Sequence, residues 1–389
     1  MKIETISFRD NIHNWELSET SFNKLTLLVG ASGVGKSRIL QAIDILKRIA
    51  LGRIYSGIEW KIKFFTSDNN MYVWSGKTDN SGEIFSFGEI NEYFFRLEKD
   101  GKNGANIEFE EVYLNNEIII SRNSNQTLFK EAEMVKFSLK ESIVSILKEE
   151  ELIKPISENF EQIQLKDHST MSSVNEIFFG VEVIRSDEIT RMKNISLEIL
   201  RNKDLNVIFK LYVASLYCKE VFQHIKDRYS EIFPLVEEIC LLSKEIKLDK
   251  KSYLEIELQI KERGVPNWIR RTDISSGMLR SLIHIADIYL CVDGTVFLID
   301  EFENSLGVNC INELTDEIIS TNRNVQFIIT SHHPYIINNI DFSHWKLVVR
   351  KGSIVKANPV SDLIHGESSH DKFMQLIQLS QYQTGEDSL

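Results

Sequence analysis

Residues Leu25–Val29 form an unbroken apolar run, LTLLV, that ends in glycines and gives way to a helical period through about Ile49. That order predicts a buried strand, a loop and a helix. Between about 51 and 120 the period shortens to two. Aromatic and polar residues alternate around Met71–Trp74, Ile84–Phe87 and Ile107–Tyr113, broken by turn-forming stretches such as TDNSGE and LEKDGKNG. The pattern predicts an antiparallel sheet of hairpins. Helical spacing returns over 130–163 and over 188–248, which is rich in Leu, Ile and Lys. Beyond about 270 the elements alternate: a helix near 277–291, a strand at 295–299, a helix near 307–320 and a strand at 325–330. Such alternation predicts a parallel sheet.

Composition narrows the class. The chain has 389 residues, 42% of them hydrophobic, enough to bury the cores of two or more lobes. A net charge of -12 opposes non-specific attraction to a phosphate backbone, so any DNA contact is expected only at a local patch. Cys218, Cys240, Cys291 and Cys310 lie far apart without a CxxC pair, which suggests neither a zinc ribbon nor a disulfide framework. Reduced thiols and a cytoplasmic setting are expected. The opening MKIETISFRD lacks the apolar stretch of a signal peptide. The most apolar later stretch, Val207–Cys218, is interrupted by Lys210 and is shorter than the ~20 residues that a membrane span needs. It reads as a buried or interface helix, and no membrane association is expected.

Gly30-Ala31-Ser32-Gly33-Val34-Gly35-Lys36-Ser37 fits the phosphate-loop pattern GxxxxGK[ST], between the predicted strand and helix. Glycines let the backbone close round phosphates, the helix start attracts the anion, Lys36 reaches the β- and γ-phosphates, and Ser37 offers an oxygen to Mg²⁺. Thr295–Glu301, TVFLIDE, is an apolar strand ending in two carboxylates, the layout of a Walker B segment. Asp300 is placed to hold Mg²⁺ and Glu301 to orient and activate water. A plain strand followed by an acidic helix cap reads the same way in isolation. Asp273–Met278, DISSGM, opens a helix with serine hydroxyls and a glycine at its positive end, a second phosphate site. The run Ile328–Pro334, IITSHHP, sets a histidine just past the next strand, within reach of a γ-phosphate.

In this order the segments LLVGASGVGKS, ISSGM, VFLIDEFENSLG and FIITSHHP resemble the ABC-type ATPase heads of the SMC, RecF and OLD superfamily. Within it, the chain is similar to the stand-alone bacterial ATPases that include the Septu defence ATPase PtuA. The resemblance covers both ends of the chain but not 51–270. It implies an α/β P-loop NTPase head, a parallel sheet plus an antiparallel β subdomain, with an inserted helical lobe. On that reading residues 1–125 and 269–389 are the two parts of the head and 126–268 the mainly helical insertion. It also implies a homodimer, or a higher oligomer, that sandwiches ATP and Mg²⁺. Ser275 and Gly277 would then meet the nucleotide of the partner copy, with Ser276 a further nucleotide-binding candidate between them, Glu301 would be the catalytic carboxylate and His332, in preference to His333, the switch histidine. The chain departs from the pattern at Ser276, Met278 and Gly307, and the Q-loop has only Gln162 and Gln164 as candidates by position.

The helical stretch 188–248, folded back once at 1.5 Å per residue, would reach roughly 45 Å, which excludes an SMC-length arm. The aromatics of 51–120 are expected in a sheet core rather than stacked on bases. Residues 333–389 are too few for the Toprim nuclease lobe of OLD-like proteins, so a separate effector, a nuclease, is expected. The functional expectation is an ATPase that senses or regulates that effector in anti-phage defence. The alternative is a RecF-like DNA repair clamp without a dedicated effector.

Overall fold

The computed structural model describes residues 1–81, 104–166, 183–203, 205–248, 251–304, 306–364 and 369–387. It contains two compact units. The first comprises Met1–Asp167, Asp293–Phe302 and Asn324–Leu389, and the second His168–Val292 and Glu303–Arg323. The expected divisions lie at 125/126 and 268/269; the units divide at 167/168 and 292/293, and Glu303–Arg323, expected in the head, also belongs to the second unit.

Along the chain, unit 1 begins with β1 (Lys2–Asp10), β2 (Trp15–Ser21) and β3 (Leu25–Val29). The helix Lys36–Ala50 follows, burying Ile39, Leu40, Ile43, Leu46 and Ile49 on one stripe, with Lys47 and Arg48 at its negative end. Next come β4 (Ile58–Phe65), β5 (Met71–Thr78), β6 (Ile107–Leu114), β7 (Glu117–Asn123), β8 (Thr127–Phe129), β9 (Ala132–Glu133) and β10 (Ile163–Lys166). Unit 2 contributes β11 (Val183–Arg185), β12 (Val236–Leu248), β13 (Lys251–Glu262) and β14 (Ile269–Arg270). The chain returns to unit 1 for β15 (Val296–Ile299), β16 (Gln326–Thr330), β17 (Trp345–Lys351) and β18 (Ile354–Pro359).

One 14-stranded sheet runs in the order β10-β15-β16-β3-β17-β18-β2-β1-β4-β5-β6-β7-β8-β9. From β10 to β17 each neighbouring pair is parallel. Every residue of β3, β15 and β16 is buried, as strands covered on both faces require. From β2 through β9 the ladders are antiparallel. There, β4 turns Ile58, Trp60, Ile62 and Phe64 inward at alternate positions. Phe160, on the helix Lys154–Glu161, meets Phe64 and Trp74 edge-on at 5.4 and 5.3 Å. The aromatics of 51–120 are thus core residues, as expected; Ile84–Phe87 lie outside the described residues.

Two stretches differ from the helical expectation. Within 130–163 only Ile143–Ile146 and Lys154–Glu161 are helical. Residues upstream of 142 are held by Arg122, which is buried and donates to the Ser138 and Glu141 carbonyls. Instead of starting the insertion, this stretch ends in β10, which pairs with β15 of the head sheet. Residues 236–248 are strand as well. Their Leu- and Lys-rich composition is overridden by a hairpin that pairs Val236–Leu248 with Lys251–Glu262 along its whole length. The insertion is therefore mixed rather than mainly helical.

In unit 2 the apolar Val207–Tyr217 is a helix burying Ile208, Phe209, Leu211, Tyr212 and Val213, started by the Asn206 cap. The helix Ser276–Leu290 ends on carbonyls that receive Arg323 and Arg201 guanidinium N–H groups at 2.9–3.1 Å. Among the described residues no helix is long and apolar enough to cross a membrane.

Candidate functional site

The parallel half of the sheet sends β3, β15 and β16 to one carboxyl edge, where crossovers leave a crevice. At that edge the chain turns from β3 through residues 30–35 into the helix Lys36–Ala50. Gly30 has φ +142°, and a Cβ there would lie 2.6 Å from the Val348 carbonyl oxygen of β17, so only glycine fits. Gly35, at φ +110°, supplies no side chain to cap the helix, and no acid occupies the first turn. The helix start therefore presents its N–H groups and positive dipole end to an anion. Lys36 Nζ donates to the Gly30 and Ala31 carbonyls at 2.8 and 3.0 Å, which lays the ammonium across the loop.

The strand ends supply the oxygens. Ser37 Oγ donates to Asp300 Oδ1 at 3.0 Å, and Thr330 Oγ1 donates to the same oxygen at 2.6 Å. The Thr330 hydroxyl also accepts the Glu301 N–H at 2.8 Å, while its carbonyl accepts the Phe302 N–H at 3.1 Å. One buried side chain thus holds the Asp300 carboxylate and the Glu301 backbone. Asp300 N–H donates to Lys166 O, tying the same turn to β10. Glu301 sits at φ +48°, a left-handed conformation that costs about 1–3 kcal/mol for a residue with a side chain and that concentrates at functional sites. Its carboxylate is exposed at the mouth of the cleft.

The cleft encloses about 330 Å³ and is lined by residues 32–38, Asp300, Glu301, Thr330–His332, Trp15 and Arg350. Of the residues singled out in the sequence it unites Ser32, Gly33, Val34, Gly35, Lys36, Ser37, Asp300, Glu301 and His332, while Gly30 and Ala31 bind the lysine. His333 instead caps the helix Pro334–Asn339, its ring accepting the Tyr335 N–H. Gln162 ends a helix and Gln164 pairs with Phe297 inside β10; neither lines the cleft. Ser275, Ser276 and Gly277 belong to unit 2, where Ser275 caps the helix Ser276–Leu290 through the Met278 N–H. Both serines are exposed. Glu303, Asn304 and Gly307 are also in unit 2, and Ser305 lies outside the described residues.

Five lining residues had no assigned role in the sequence: Trp15, Arg38, Thr330, Ser331 and Arg350. The Arg38 guanidinium lies 5.9 Å from the Trp15 ring centroid. Thr330 was legible in principle, because β15 and β16 pair Ile299 with Ile329 and so bring the next residues, Asp300 and Thr330, side by side. Trp15 and Arg350 come from strands remote in sequence and carry no local motif.

The donor set fits a magnesium nucleotide. Ser37 Oγ and Asp300 are hard oxygen donors beside the anion-attracting loop, and no cluster of three or more His, Cys, Asp or Glu suited to a metal occurs among the described residues. Mg²⁺ is commonly held in this way, by one or two protein oxygens together with phosphate oxygens.

Known proteins bear on the same region. The family profile described as "AAA domain, putative AbiEii toxin, Type IV TA system" matches residues 25–338. A crystal structure of an SMC head bound to the C-winged helix domain of ScpA is 14% identical, with 92% of this chain and 97% of that one covered and a TM-score of 0.50. The SMC head domain from Thermotoga maritima is 12% identical over 92% of this chain and 99% of that chain, with a TM-score of 0.41. Comparison with curated proteins gives no significant match. The first of these structures shows the fold, that of an SMC-type P-loop head, and the profile spans most of the sheet and its cleft. The chain belongs to this AbiEii-like AAA-domain family of ATPases.

Proposed function

We propose that this chain binds and hydrolyses MgATP in the cleft of unit 1, and that the nucleotide state regulates a separate effector in anti-phage defence. The observation that carries the chemistry is the hydrogen-bonded chain Ser37–Asp300–Thr330–Glu301 at the mouth of the phosphate loop. In this reading the loop N–H groups and Lys36 bind the β- and γ-phosphates, the ammonium exchanging its two carbonyl partners for phosphate oxygens. Ser37 and Asp300 would hold Mg²⁺, which when bound neutralises phosphate charge. Glu301 orients the attacking water and takes its proton as the water oxygen bonds to the γ-phosphorus and the bond to the β-phosphate oxygen breaks. His332 contacts the γ-phosphate, and the buried Trp15 indole backs the cleft wall beneath Arg38.

A second copy completes the site. The exposed helix start at Ser275, Ser276 and Gly277 has the chemistry to receive a phosphate from across a homodimer. The regulatory role is supported by the family description, which names a toxin–antitoxin system, and by the solved SMC head, which is bound to a domain of a partner protein. The effector is expected to be a nuclease in the cytoplasm, with any DNA bound only through a local patch, because the net charge of -12 weighs against a general DNA clamp.

Lys36→Ala is expected to abolish binding of mant-ATP, a fluorescent ATP analogue. Glu301→Gln should bind it, slow phosphate release about a hundredfold or more, and accumulate a dimer seen by light scattering. Normal turnover by Glu301→Gln would remove Glu301 from the catalytic role. Purification of that variant from its native host with ATP and Mg²⁺, followed by mass spectrometry, tests the regulatory role: a stoichiometric nuclease partner supports it, and DNA alone points to the clamp.

A further inference from the structure

The phosphate loop is gripped from two sides, and one grip comes from residues far along the chain. On the first side, Gly30 packs against the Val348 carbonyl of β17 and Gly35 against the Val355 side chain of β18. On the second lies the segment Ser380–Asp387. Its short helix, Ser380–Thr384, ends at Gly385 in the left-handed conformation at φ +74°. That glycine sits so close to the loop that a Cβ on it would lie 2.2 Å from Val34 Cγ1 and 3.4 Å from the Ala31 Cβ. Val34 is 5% exposed, although it occupies the middle of a phosphate-binding loop.

The segment is fastened rather than merely adjacent. Arg350 N–H donates to the Gly385 carbonyl at 2.7 Å, and Asp387 N–H donates to the Arg350 carbonyl at 3.0 Å. Both backbone groups of Arg350, at the end of β17, are therefore taken by this segment, and the Arg350 side chain lines the nucleotide cleft. Lys356 Nζ then lies 2.8 Å from the Asp387 carboxylate, whose side chain is 2% exposed. A buried carboxylate paired in this way resists lifting off, since breaking the pair would strand a charge away from water.

We propose that residues 380–387 are a strap that holds the phosphate loop in its binding conformation and Arg350 in the cleft wall, so that nucleotide affinity depends on the strap's docking. The physical reason is entropic. A glycine-rich loop has many accessible backbone states, and a ligand that must order it loses affinity, whereas a loop already ordered by Val34 against Gly385 does not incur that cost on binding. Gly385, Asp387 and Lys356 are positioning residues in this scheme. The affinity consequence rests on the reading of the cleft as an ATP site; the ordering of the loop does not.

Hydrogen exchange of the nucleotide-free full chain, followed by mass spectrometry, tests the strap directly, with mant-ATP titration as the second readout. Gly385→Ala is expected to raise exchange of the peptide covering residues 30–37 at least tenfold, leave peptides from β4 and β5 unchanged, and raise the mant-ATP Kd at least tenfold. Asp387→Ala, which removes the carboxylate paired with Lys356, should move both readouts in the same direction by about threefold, and it serves if Gly385→Ala does not fold. Unchanged loop exchange in the folded variants overturns the proposal, as does an equal rise throughout the sheet. A loop that loosens as expected in a chain whose parent binds no mant-ATP would sink the ATP reading and leave the strap standing.

Discussion

The two halves of the large sheet share one ladder and use buried polar groups in opposite ways. In the parallel half, Asp300 and Thr330 sit at the ends of adjacent strands, one buried hydroxyl binds the Asp300 carboxylate and the Glu301 N–H, and both acids face a cleft. In the antiparallel half, Glu110 and Arg122 are 0% and 2% exposed and face no cleft. The Glu110 carboxylate accepts hydrogen bonds from Trp74 Nε1, Ser142 Oγ and Ile143 N–H, and Arg122 Nη1 lies 3.5 Å from it. Burial pushes the Glu110 carboxyl above its ordinary range despite those bonds. The difference follows from direction. Parallel strands deliver successive carboxyl ends to the same edge, whereas antiparallel strands alternate, so their polar residues fasten neighbouring segments instead of converging on a ligand.

The largest effect expected from breaking this contrast is on stability. Glu110→Ala leaves the Arg122 guanidinium buried without its counter-charge and removes the acceptor of three donors, for an expected loss of about 3–5 kcal/mol in urea unfolding. Glu110→Gln, which keeps shape and some acceptors, should lose less. The mant-ATP Kd of folded Glu110→Gln should stay within about twofold of the parent; a larger change would mean that the two halves are energetically coupled.

Thr330→Val is expected to act in the reverse sense. It keeps volume and removes the hydroxyl that holds Asp300 and the Glu301 N–H, so kcat for ATP should fall about a hundredfold, roughly 2.7 kcal/mol in the barrier. Unfolding free energy should drop by only about 1–2 kcal/mol, the cost of losing one buried hydrogen-bonding group. Thr330→Ser should recover most of the turnover. A loss of stability with unchanged kcat would reduce Thr330 to a core residue.

The parallel half was also the more legible in sequence, for a related reason. Its phosphate loop, Walker B strand and following strand are local patterns, each a short apolar run ending in the residues that do the chemistry. Elements set by distant partners were not legible. Nothing within 130–142 announces that Arg122 will take the Ser138 and Glu141 carbonyls, and the helix-favouring EEICLLSKEIKL becomes strand only because KSYLEIELQIKE lies opposite it. Thr330 was in plain view, but its role depends on the register of β15 against β16. Trp15 and Arg350 reach the cleft only through the order of the sheet.

The smallest effect lies at Asp79, just past the end of β5, where the antiparallel half again uses a carboxylate to fasten chain segments. Its side chain accepts from Ser81 Oγ and N–H at 2.6 and 3.2 Å, and from Asn106 N–H and Nδ2 at 3.0 and 2.9 Å, joining the two sides of the stretch 82–103. Burial raises its pKa, but the hydrogen bonds outweigh that and hold it at about 2, below the ordinary 3.8. A folded-state pKa below the unfolded one means that the unfolded chain binds more protons between the two values. The contribution is therefore complete above about pH 4 and is lost as pH falls toward 2. Asp79 is only partly buried and solvent screens it, so Asp79→Asn should cost only about 1 kcal/mol at pH 7. The gap between parent and variant should close as pH falls from 4 to 2 in urea titrations at constant ionic strength; a gap that stays constant to pH 2 would mean that the ionised carboxylate contributes nothing there and that shape alone holds the turn.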